Sequence, residues 1–219
     1  MPETYNDGTN GTHDVTYIAD GTSRSNGVFS PIKSTLTSIT LPRTITKIGL
    51  YAFFQCTALE NVDLRDCTSL TSIDSGAFGV CSGLLSIDLS GCISLTSIGL
   101  DAFVSCSGLT SLNLSGCTSL TSIDQGAFYE CSGLTSITIP SSVTIIGINA
   151  FKGCSKLTSV VFEDTSKTTW YVKSTDYVPE DSTTYQDVSS SSSTNATNLV
   201  TNYCGYYWCK HTSGTLPSL

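Results

Sequence analysis

Apolar residues recur along the middle of the chain in a short alternating pattern, leucine-x-x-apolar-x-apolar. The pattern occurs six times, with its first leucine at Leu36, Leu59, Leu84, Leu109, Leu134 and Leu157. Ser, Thr, Asn and Asp fill most of the positions between the apolar ones. A short segment that alternates in this way predicts a β-strand with one buried face. Six of them at a nearly constant interval predict parallel strands stacked rung upon rung in one sheet.

Each repeat contains a second apolar element and a turn. The second elements are predicted as weaker strands, at residues 45–48, 70–73, 95–98, 120–123 and 143–146. An Ala-Phe pair follows each one, and a cysteine lies three residues after each phenylalanine: Phe53, Phe78, Phe103, Phe128 and Phe151. The Ala-Phe-x-x-Cys piece is too short for a long helix, so we expect helical or 3-10 turns that drive the phenylalanine into the core. The predicted fold is therefore a leucine-rich repeat solenoid, mainly β, with short helical or 3-10 turns, a parallel sheet and capped ends.

The register of the repeats divides the chain into three parts. We expect an N-terminal extension and cap at 1–33, where Phe29 looks like part of a degenerate half-rung. Residues 34–163 form a solenoid of about five to six rungs. Residues 164–219 form an aromatic C-terminal cap.

The C-terminal part contains both tryptophans of the chain, Trp170 and Trp208. A solenoid needs a cover over its last apolar rung. We expect a strand pair built from Thr169–Val172 and Asn202–Trp208 to supply it. A separate ligand-binding domain is the alternative, but some 55 residues make a poor independent core.

Eight of the ten cysteines follow the repeat, namely Cys56, Cys67, Cys81, Cys92, Cys106, Cys117, Cys131 and Cys154. Cysteines on a strict register are typical of small buried hydrophobic residues, so we predict thiols and not disulfides at these positions. Cys204 and Cys209 lie outside the repeats. If Tyr203 to Cys209 is one strand, the two face opposite sides and do not pair with each other.

The composition argues against several functions. A net charge of −8 and scattered basic residues argue against binding to nucleic acid or anionic lipid. The two histidines, His13 and His211, fall in no metal-binding or triad spacing, and no phosphate-binding loop occurs. We therefore predict no enzyme activity, no cofactor and no metal site. No apolar run reaches the roughly 20 residues that a membrane span needs.

The unit Leu-Thr-Ser-Ile…Ile-Gly-x-x-Ala-Phe-x-x-Cys-Ser-x-Leu resembles the BspA-type leucine-rich repeat of bacterial surface proteins, and the tail around Trp170 and Trp208 resembles the C-terminal segment of treponemal members. The resemblance implies a cell-surface or secreted protein without catalytic activity. Its implied partners are proteins, including host extracellular-matrix proteins, and its implied role is adhesion. We expect a monomer whose export signal has been removed and which would be peripheral or lipid-anchored at a membrane only through the missing N-terminus.

The solvent-facing positions of the main strands supply the candidate ligand-binding residues. They are Glu60, Asn61, Asp63, Arg65, Asp88 and Asn113. Asp63 and Asp88 fall on adjacent rungs, about 5 Å apart, where like charges repel. One interpretation is an acidic patch that binds a basic partner or a cation. The other is a hydrated pair on a mostly neutral face.

Two further functions stay open at this point, together with a purely structural role at the cell surface. A carbohydrate-binding protein could stack sugars on exposed tyrosine and tryptophan rings of the tail. An unbroken threonine column could order water, as in ice-binding solenoids; it comprises Thr46, Thr71, Thr96, Thr121 and Thr144. The simpler explanation of the column is that threonine suits strands and recurs because the unit recurs.

Overall fold

A computed structural model of the 219-residue chain describes residues 4–6, 12–14, 16–24, 26–164, 169–173, 184–187, 191–202, 204–205 and 207–210. His211 and Tyr203, which entered the predictions above, lie outside the described residues, as does the side chain of His13.

Three short strands precede the repeats: β1 (Thr4–Asn6), β2 (Thr12–Asp14) and β3 (Tyr17–Ile18). A 3-10 turn, Ser30–Ile32, follows them. The strands of the repeats are β4 (Ser38–Thr40), β5 (Lys47–Ile48), β6 (Asn61–Asp63), β7 (Ser72–Ile73), β8 (Ser86–Asp88), β9 (Ser97–Ile98), β10 (Ser111–Asn113), β11 (Ser122–Ile123), β12 (Ser136–Ile139), β13 (Ile145–Ile146) and β14 (Ser159–Phe162). The C-terminal part contains β15 (Thr169–Lys173), β16 (Thr184–Asp187), helix α1 (Ser192–Thr197), a π-helical turn (Asn198–Asn202) and β17 (Tyr207–Lys210).

The even-numbered strands β4 to β14 form the side that we call the serine sheet, after the residue that begins most of them. All pairings on this side are parallel and in register, so that Asn61 lies opposite Ser86 and Asp63 opposite Asp88. The prediction of one continuous sheet of six strands is corrected in one respect. The order β4-β6-β8-β10 forms a four-stranded sheet, whereas β12 and β14 pair separately. The break falls where a 25-residue rung is followed by a 23-residue rung.

The odd-numbered strands β3 to β13 form a second parallel sheet, the threonine sheet, which β17, β15 and β16 extend in antiparallel orientation to nine strands. Each threonine of the threonine column directly precedes one strand of this sheet, from β5 to β13. The Thr96 hydroxyl donates a hydrogen bond to the carbonyl oxygen of Thr71, 2.9 Å away, and Thr71 does the same to Thr46 at 2.8 Å. Because these hydroxyl protons bond to the protein backbone, the recurrence of threonine has a structural cause.

The Ala-Phe-x-x-Cys piece forms the third side of each rung. Its residues form successive turns rather than a continuous helix, with bonds from Phe54 N–H to the Tyr51 carbonyl and from Cys56 N–H to the Phe53 carbonyl. The expected 3-10 turns are thus present as i-to-i+3 hydrogen bonds. Left-handed residues separate them, among them Tyr51 at φ 53° and Gln55 at φ 61°. We call this side the turn ladder, because its alternate N–H groups bond to carbonyls of the next rung.

The core is a column of parallel phenylalanine rings. The rings of Phe53, Phe78, Phe103, Phe128 and Phe151 stack in sequence, with centroids 4.9–5.4 Å apart and planes within 12° of each other. Dispersion attraction and the removal of apolar surface from water both stabilise such a column. The eight periodic cysteines are buried free thiols, which confirms the prediction from their register.

The N-terminal segment covers the first rung. The Phe29 ring stacks on Phe53 at 4.5 Å, as the predicted half-rung requires, and β3 pairs with β5. Arg24 reaches along the turn ladder to Asp101, with 3.1 Å between guanidinium nitrogen and carboxylate oxygen. The N-terminal segment therefore shields the first ring of the phenylalanine column, Phe53, from solvent.

The C-terminal elements cover the last rung on all three sides. Strand β17 pairs with β13, helix α1 packs on β14 through a bond from buried Asn195 to the Val160 carbonyl, and the Cys204 carbonyl accepts Asn149 N–H. The strand pair differs from the expected one, since β17 begins at Tyr207 and residues 198–202 are helical. Cys204 lies in a turn, so the one-strand argument about the two cysteines does not apply, although both are thiols. The division into 1–33, 34–163 and 164–219 stays a prediction.

Candidate binding face

Four of the six predicted site residues meet on the serine sheet. Asn61, Asp63, Arg65 and Asp88 line an open depression of about 430 Å³. Its remaining lining comes from Ser38, Ile39 and Thr40 of β4, Val62 of β6 and Ser86 of β8. The depression therefore lies across the first three strands of the sheet.

Arg65 neutralises the first carboxylate. Its guanidinium nitrogens Nε and Nη2 donate to Oδ1 and Oδ2 of Asp63 at 3.0 and 2.8 Å, a bidentate pair. The Arg65 N–H also donates to Oδ1, which fixes the carboxylate over the end of β6. These bonds hold the pKa of Asp63 below its usual value, the side-chain bond to Arg65 being the largest cause. The same pair raises the pKa of the Arg65 guanidinium.

Asp88 is held by neutral donors. Its Oδ1 accepts the Ser90 N–H at 3.0 Å and Nδ2 of Asn113 at 3.1 Å. A hydrogen bond from the Ser90 side chain is the largest cause of a lowered Asp88 pKa, and the Ser90 N–H, Asn113 and the positive charge of Arg65 lower it further. Both carboxylates therefore stay ionised at neutral pH, in spite of their adjacent places in the register.

The predicted repulsion between Asp63 and Asp88 is thus offset by Arg65 and by local hydrogen bonds. This part of the serine sheet is a polar depression with two fixed carboxylates and one exposed guanidinium, that of Arg65, whose side chain is 68% accessible. Exposed ion pairs of this kind contribute little stability, since water and salt screen them. They do set a definite pattern of charge on the surface.

The other predicted residues lie outside the depression. Glu60 is exposed in the turn before β6, and its N–H bonds to the Thr37 carbonyl. Asn113 lies on the fourth strand and touches the site only through Asp88. Whether any of the six binds a ligand stays a prediction. Ser38, Thr40 and Ser86 were not predicted as site residues. Ser38 and Ser86 occupy the repeat position of Asn61, and Thr40 occupies that of Asp63, so the repeat register could have identified them.

The tryptophans do not present sugar-binding platforms. Trp170 and Trp208 are each only 2% exposed, and the Trp170 ring packs against Phe162 with centroids 5.2 Å apart. The interpretation that these rings stack on a carbohydrate is therefore wrong. They serve as the apolar part of the C-terminal cover.

Among the described residues, no group of three or more His, Cys, Asp or Glu side chains is placed to hold a metal ion. Within the same part of the chain, every helix is too short or too polar to cross a lipid bilayer.

The repeat sequence matches the profile of the BspA type leucine rich repeat region in six copies, over residues 22–158. The chain belongs to the BspA-type leucine-rich repeat family. No curated protein matched it. The match spans most of the rungs described above, so that the resemblance of the repeat unit is confirmed. The resemblance of the tail to treponemal members lies outside the matched residues and stays a prediction.

Several solved bacterial proteins are similar to this chain. A leucine rich cell surface protein from Faecalibacterium prausnitzii A2-165 is 29% identical, with a TM-score of 0.51; the match covers 80% of this chain and 51% of that one. The pneumococcal vaccine antigen PcpA is 23% identical, with a TM-score of 0.60, over 77% of this chain and 41% of that one. A leucine rich repeat protein of T. pallidum is 26% identical, over 66% of this chain and 72% of that one, with a TM-score of 0.42. The chain thus spans about half the length of the first two proteins.

Proposed function

We propose that this BspA-type chain is a non-catalytic protein, at the cell surface or secreted, that binds other proteins and mediates adhesion through its serine sheet. Family membership supports a binding scaffold, since repeat solenoids present extended surfaces. The F. prausnitzii relative is described as a cell surface protein, which supports the same location here.

The observation that carries the proposal is the depression over β4, β6 and β8. Arg65 and the carboxylates of Asp63 and Asp88 form a fixed pattern of charge on a sheet whose other outward side chains are short and neutral. Fixed charges on a surface favour a partner with the complementary pattern, and they act mainly on specificity and association rate. A partner with a lysine or arginine near the Asp88 carboxylate would fit this pattern.

The experiment measures binding of the purified chain to immobilised fibronectin and fibrinogen, at low and at physiological salt. We expect saturable binding that weakens as salt rises. The variants Asp63→Lys and Asp88→Lys should weaken it by at least tenfold. Asp124→Lys is the matched control, since it makes the same charge change at the end of β11, on the threonine sheet.

Two results separate the parts of the proposal. If neither matrix protein binds, adhesion to host matrix is wrong for these partners and a structural role gains support. If binding is saturable but all three charge reversals weaken it equally, the contact face is not the serine sheet. Circular dichroism spectra must match the unmodified chain, because Asp63 also accepts the Arg65 N–H; Asp63→Asn keeps an oxygen acceptor there and serves as a check.

A further inference from the structure

Asn61, in the depression of the serine sheet, is the only departure from serine at its repeat position. The five equivalent residues are Ser38, Ser86, Ser111, Ser136 and Ser159. Asn61 is exposed, and within the described part of the chain neither its side-chain amide nor any of these serine hydroxyls makes a hydrogen bond. The fold therefore does not require an amide at this position. Both the oxygen and the NH2 group of the Asn61 side chain are open to a ligand.

The middle of the chain has acidic side chains and no basic ones. Between Arg65 and Lys152 there is neither lysine nor arginine, but there are six acidic residues: Asp66, Asp74, Asp88, Asp101, Asp124 and Glu130. Two of the six, Asp74 and Asp101, form ion pairs with basic residues nearer the N-terminus. The middle rungs therefore have an uncompensated negative charge, which favours a basic partner.

Asp88 is the carboxylate of the depression that lacks a counter-ion. Its neighbour in the register, Asp63, is paired with Arg65, whereas Asp88 forms no ion pair among the described residues. Neutral donors hold Asp88 in place, since its Oδ1 accepts both the Ser90 N–H and Nδ2 of Asn113. A carboxylate that is already oriented can take a cation without losing a charged partner or reordering its side chain.

The lining of the depression suits a peptide better than a sugar. Its volume is about 430 Å³, and none of the described residues that line it is aromatic, so a sugar ring has nothing to stack on. Ile39 and Val62 contribute aliphatic surface. Within the described residues, Nη1 of Arg65 donates no hydrogen bond, because the ion pair uses Nε and Nη2. An extended peptide supplies carbonyl oxygens for such donors and alternating side chains for the rest.

We propose that the depression is a subsite for a lysine side chain on an extended segment of the partner protein. This inference rests on the proposed function and names the part of the partner that the serine sheet recognises. The lysine ammonium pairs with Asp88, and carbonyl oxygens of the segment accept Nδ2 of Asn61 and Nη1 of Arg65. Apolar side chains two positions from the lysine lie on the same face of the segment and contact Ile39 and Val62.

The geometry of Asp88 favours lysine over arginine. A guanidinium binds a carboxylate best through two parallel bonds, one to each oxygen. Oδ1 of Asp88 already accepts two hydrogen bonds, so the second bond of an arginine fork has no good acceptor. An ammonium is a compact charge that needs only one oxygen.

The test follows the amide NMR spectrum of the isotope-labelled full chain as the peptide acetyl-Val-Thr-Lys-Thr-Val-amide is added at low salt. Because chemical shifts report weak binding, a short peptide is sufficient. We expect saturable shifts of the Asn61 side-chain amide and of the backbone amides of β6 and β8. The peptides with Gln or Arg in place of Lys are the ligand controls. The Gln peptide should bind at least about fivefold more weakly, and the Arg peptide at least about twofold more weakly.

Three variants locate the contact. Asp88→Asn removes the charge and keeps an oxygen acceptor, and Asn113 shows that asparagine fits this turn, since its Oδ1 accepts the Ser115 N–H at 3.1 Å. It should abolish the preference for lysine over glutamine. Asn61→Ser restores the residue of the other rungs and should weaken all three peptides alike, because it removes a backbone contact. Asp124→Asn makes the same charge change on the threonine sheet and should leave binding unchanged.

Each outcome supports or overturns a stated part of the inference. A lysine preference that Asp88→Asn removes and Asp124→Asn retains supports the subsite. Equal binding of the lysine and glutamine peptides, shifts confined to another side of the solenoid, or no shifts at all overturn it. Equal binding of the arginine peptide overturns the choice of lysine. Matrix-protein binding that Asp88→Lys weakens, without any peptide binding, would keep the adhesive face and refute only the subsite.

Discussion

The thiol of Cys106 donates a hydrogen bond to the carbonyl oxygen of Phe78 in the preceding rung, with 3.1 Å between sulfur and oxygen. That carbonyl also accepts the N–H of Cys81, at 3.2 Å. The thiol therefore satisfies the second lone pair of a buried oxygen. Cys131 makes the same contact with Phe103, at 3.1 Å. A small apolar side chain that still has a weak donor suits this position, and cysteine is that residue.

Stability should fall steeply at alkaline pH. Burial raises the pKa of Cys56 and of Cys67 to about 11, and it also raises the pKa of Cys106 well above its usual value. Thiols in the unfolded chain ionise near pH 8.5. Each buried thiol therefore contributes fully to the free energy of unfolding below about pH 8.5. Above that pH the unfolded chain releases the proton first, and the free energy of unfolding falls by about 1.4 kcal/mol per pH unit for each buried thiol until the folded-state pKa is reached.

The urea midpoint, measured in reductant between about pH 7.5 and 9.5, checks this effect. We expect a marked decrease above about pH 8.5. Cys106→Ala removes one ionising thiol, so its midpoint should decrease less steeply. A midpoint that stays constant over this range would contradict the burial of the thiols.

Thiol labelling should reveal one accessible cysteine. Cys204 is half-buried, with its sulfur 3.6 Å from the Thr201 carbonyl, whereas the other nine cysteines are buried. A thiol reagent at neutral pH should modify Cys204 fast and the rest only as the chain unfolds, because the thiolate of a buried cysteine is both inaccessible and disfavoured. Mass spectrometry of the labelled native protein identifies the site. Cys204→Ser is the control and should remove the fast phase.

The phenylalanine column should dominate the stability of the solenoid. Phe103→Ala leaves a cavity between the rings of Phe78 and Phe128, and we expect it to cost about 3–5 kcal/mol. Leu100→Ala, in the same rung at a position that is 42% exposed, should cost less than about 0.5 kcal/mol. Urea unfolding followed by circular dichroism gives both values. A similar cost for the two substitutions would mean that the column is not the main source of packing energy.

The threonine column should contribute through its hydroxyls. Thr96→Val keeps the shape and strand preference of the side chain but removes the bond to the Thr71 carbonyl, and it should cost about 0.5–1.5 kcal/mol. Thr118→Val, at an exposed turn position, should be nearly neutral by comparison. The same unfolding measurement distinguishes the two. If Thr96→Val stabilises the chain, strand preference alone accounts for the column.

The rungs could be predicted from the sequence because the same spacing of apolar residues recurs in every rung, from Leu36 to Leu157, and identifies the buried positions of each. It did not reveal the left-handed residues of the turn ladder, since Tyr51 and Gln55 are not residue types that favour positive φ. Nor did it reveal that Arg65 pairs with Asp63, because a side-chain rotamer decides that contact. The boundary of β17 was misplaced for a related reason: aromatic residues suit both a strand and an apolar cover.

The identical contacts of successive rungs have a consequence for how such a chain can change in length. A duplicate of residues 101–125, inserted after Gln125, would bring its phenylalanine, cysteines and threonine into the same register as the originals, and both ends would keep their covers. Recombination between repeats can therefore lengthen or shorten the molecule by whole units while each intermediate still folds. The distance between the polar depression over the first three strands of the serine sheet and the C-terminal cover would then change in steps of one whole rung.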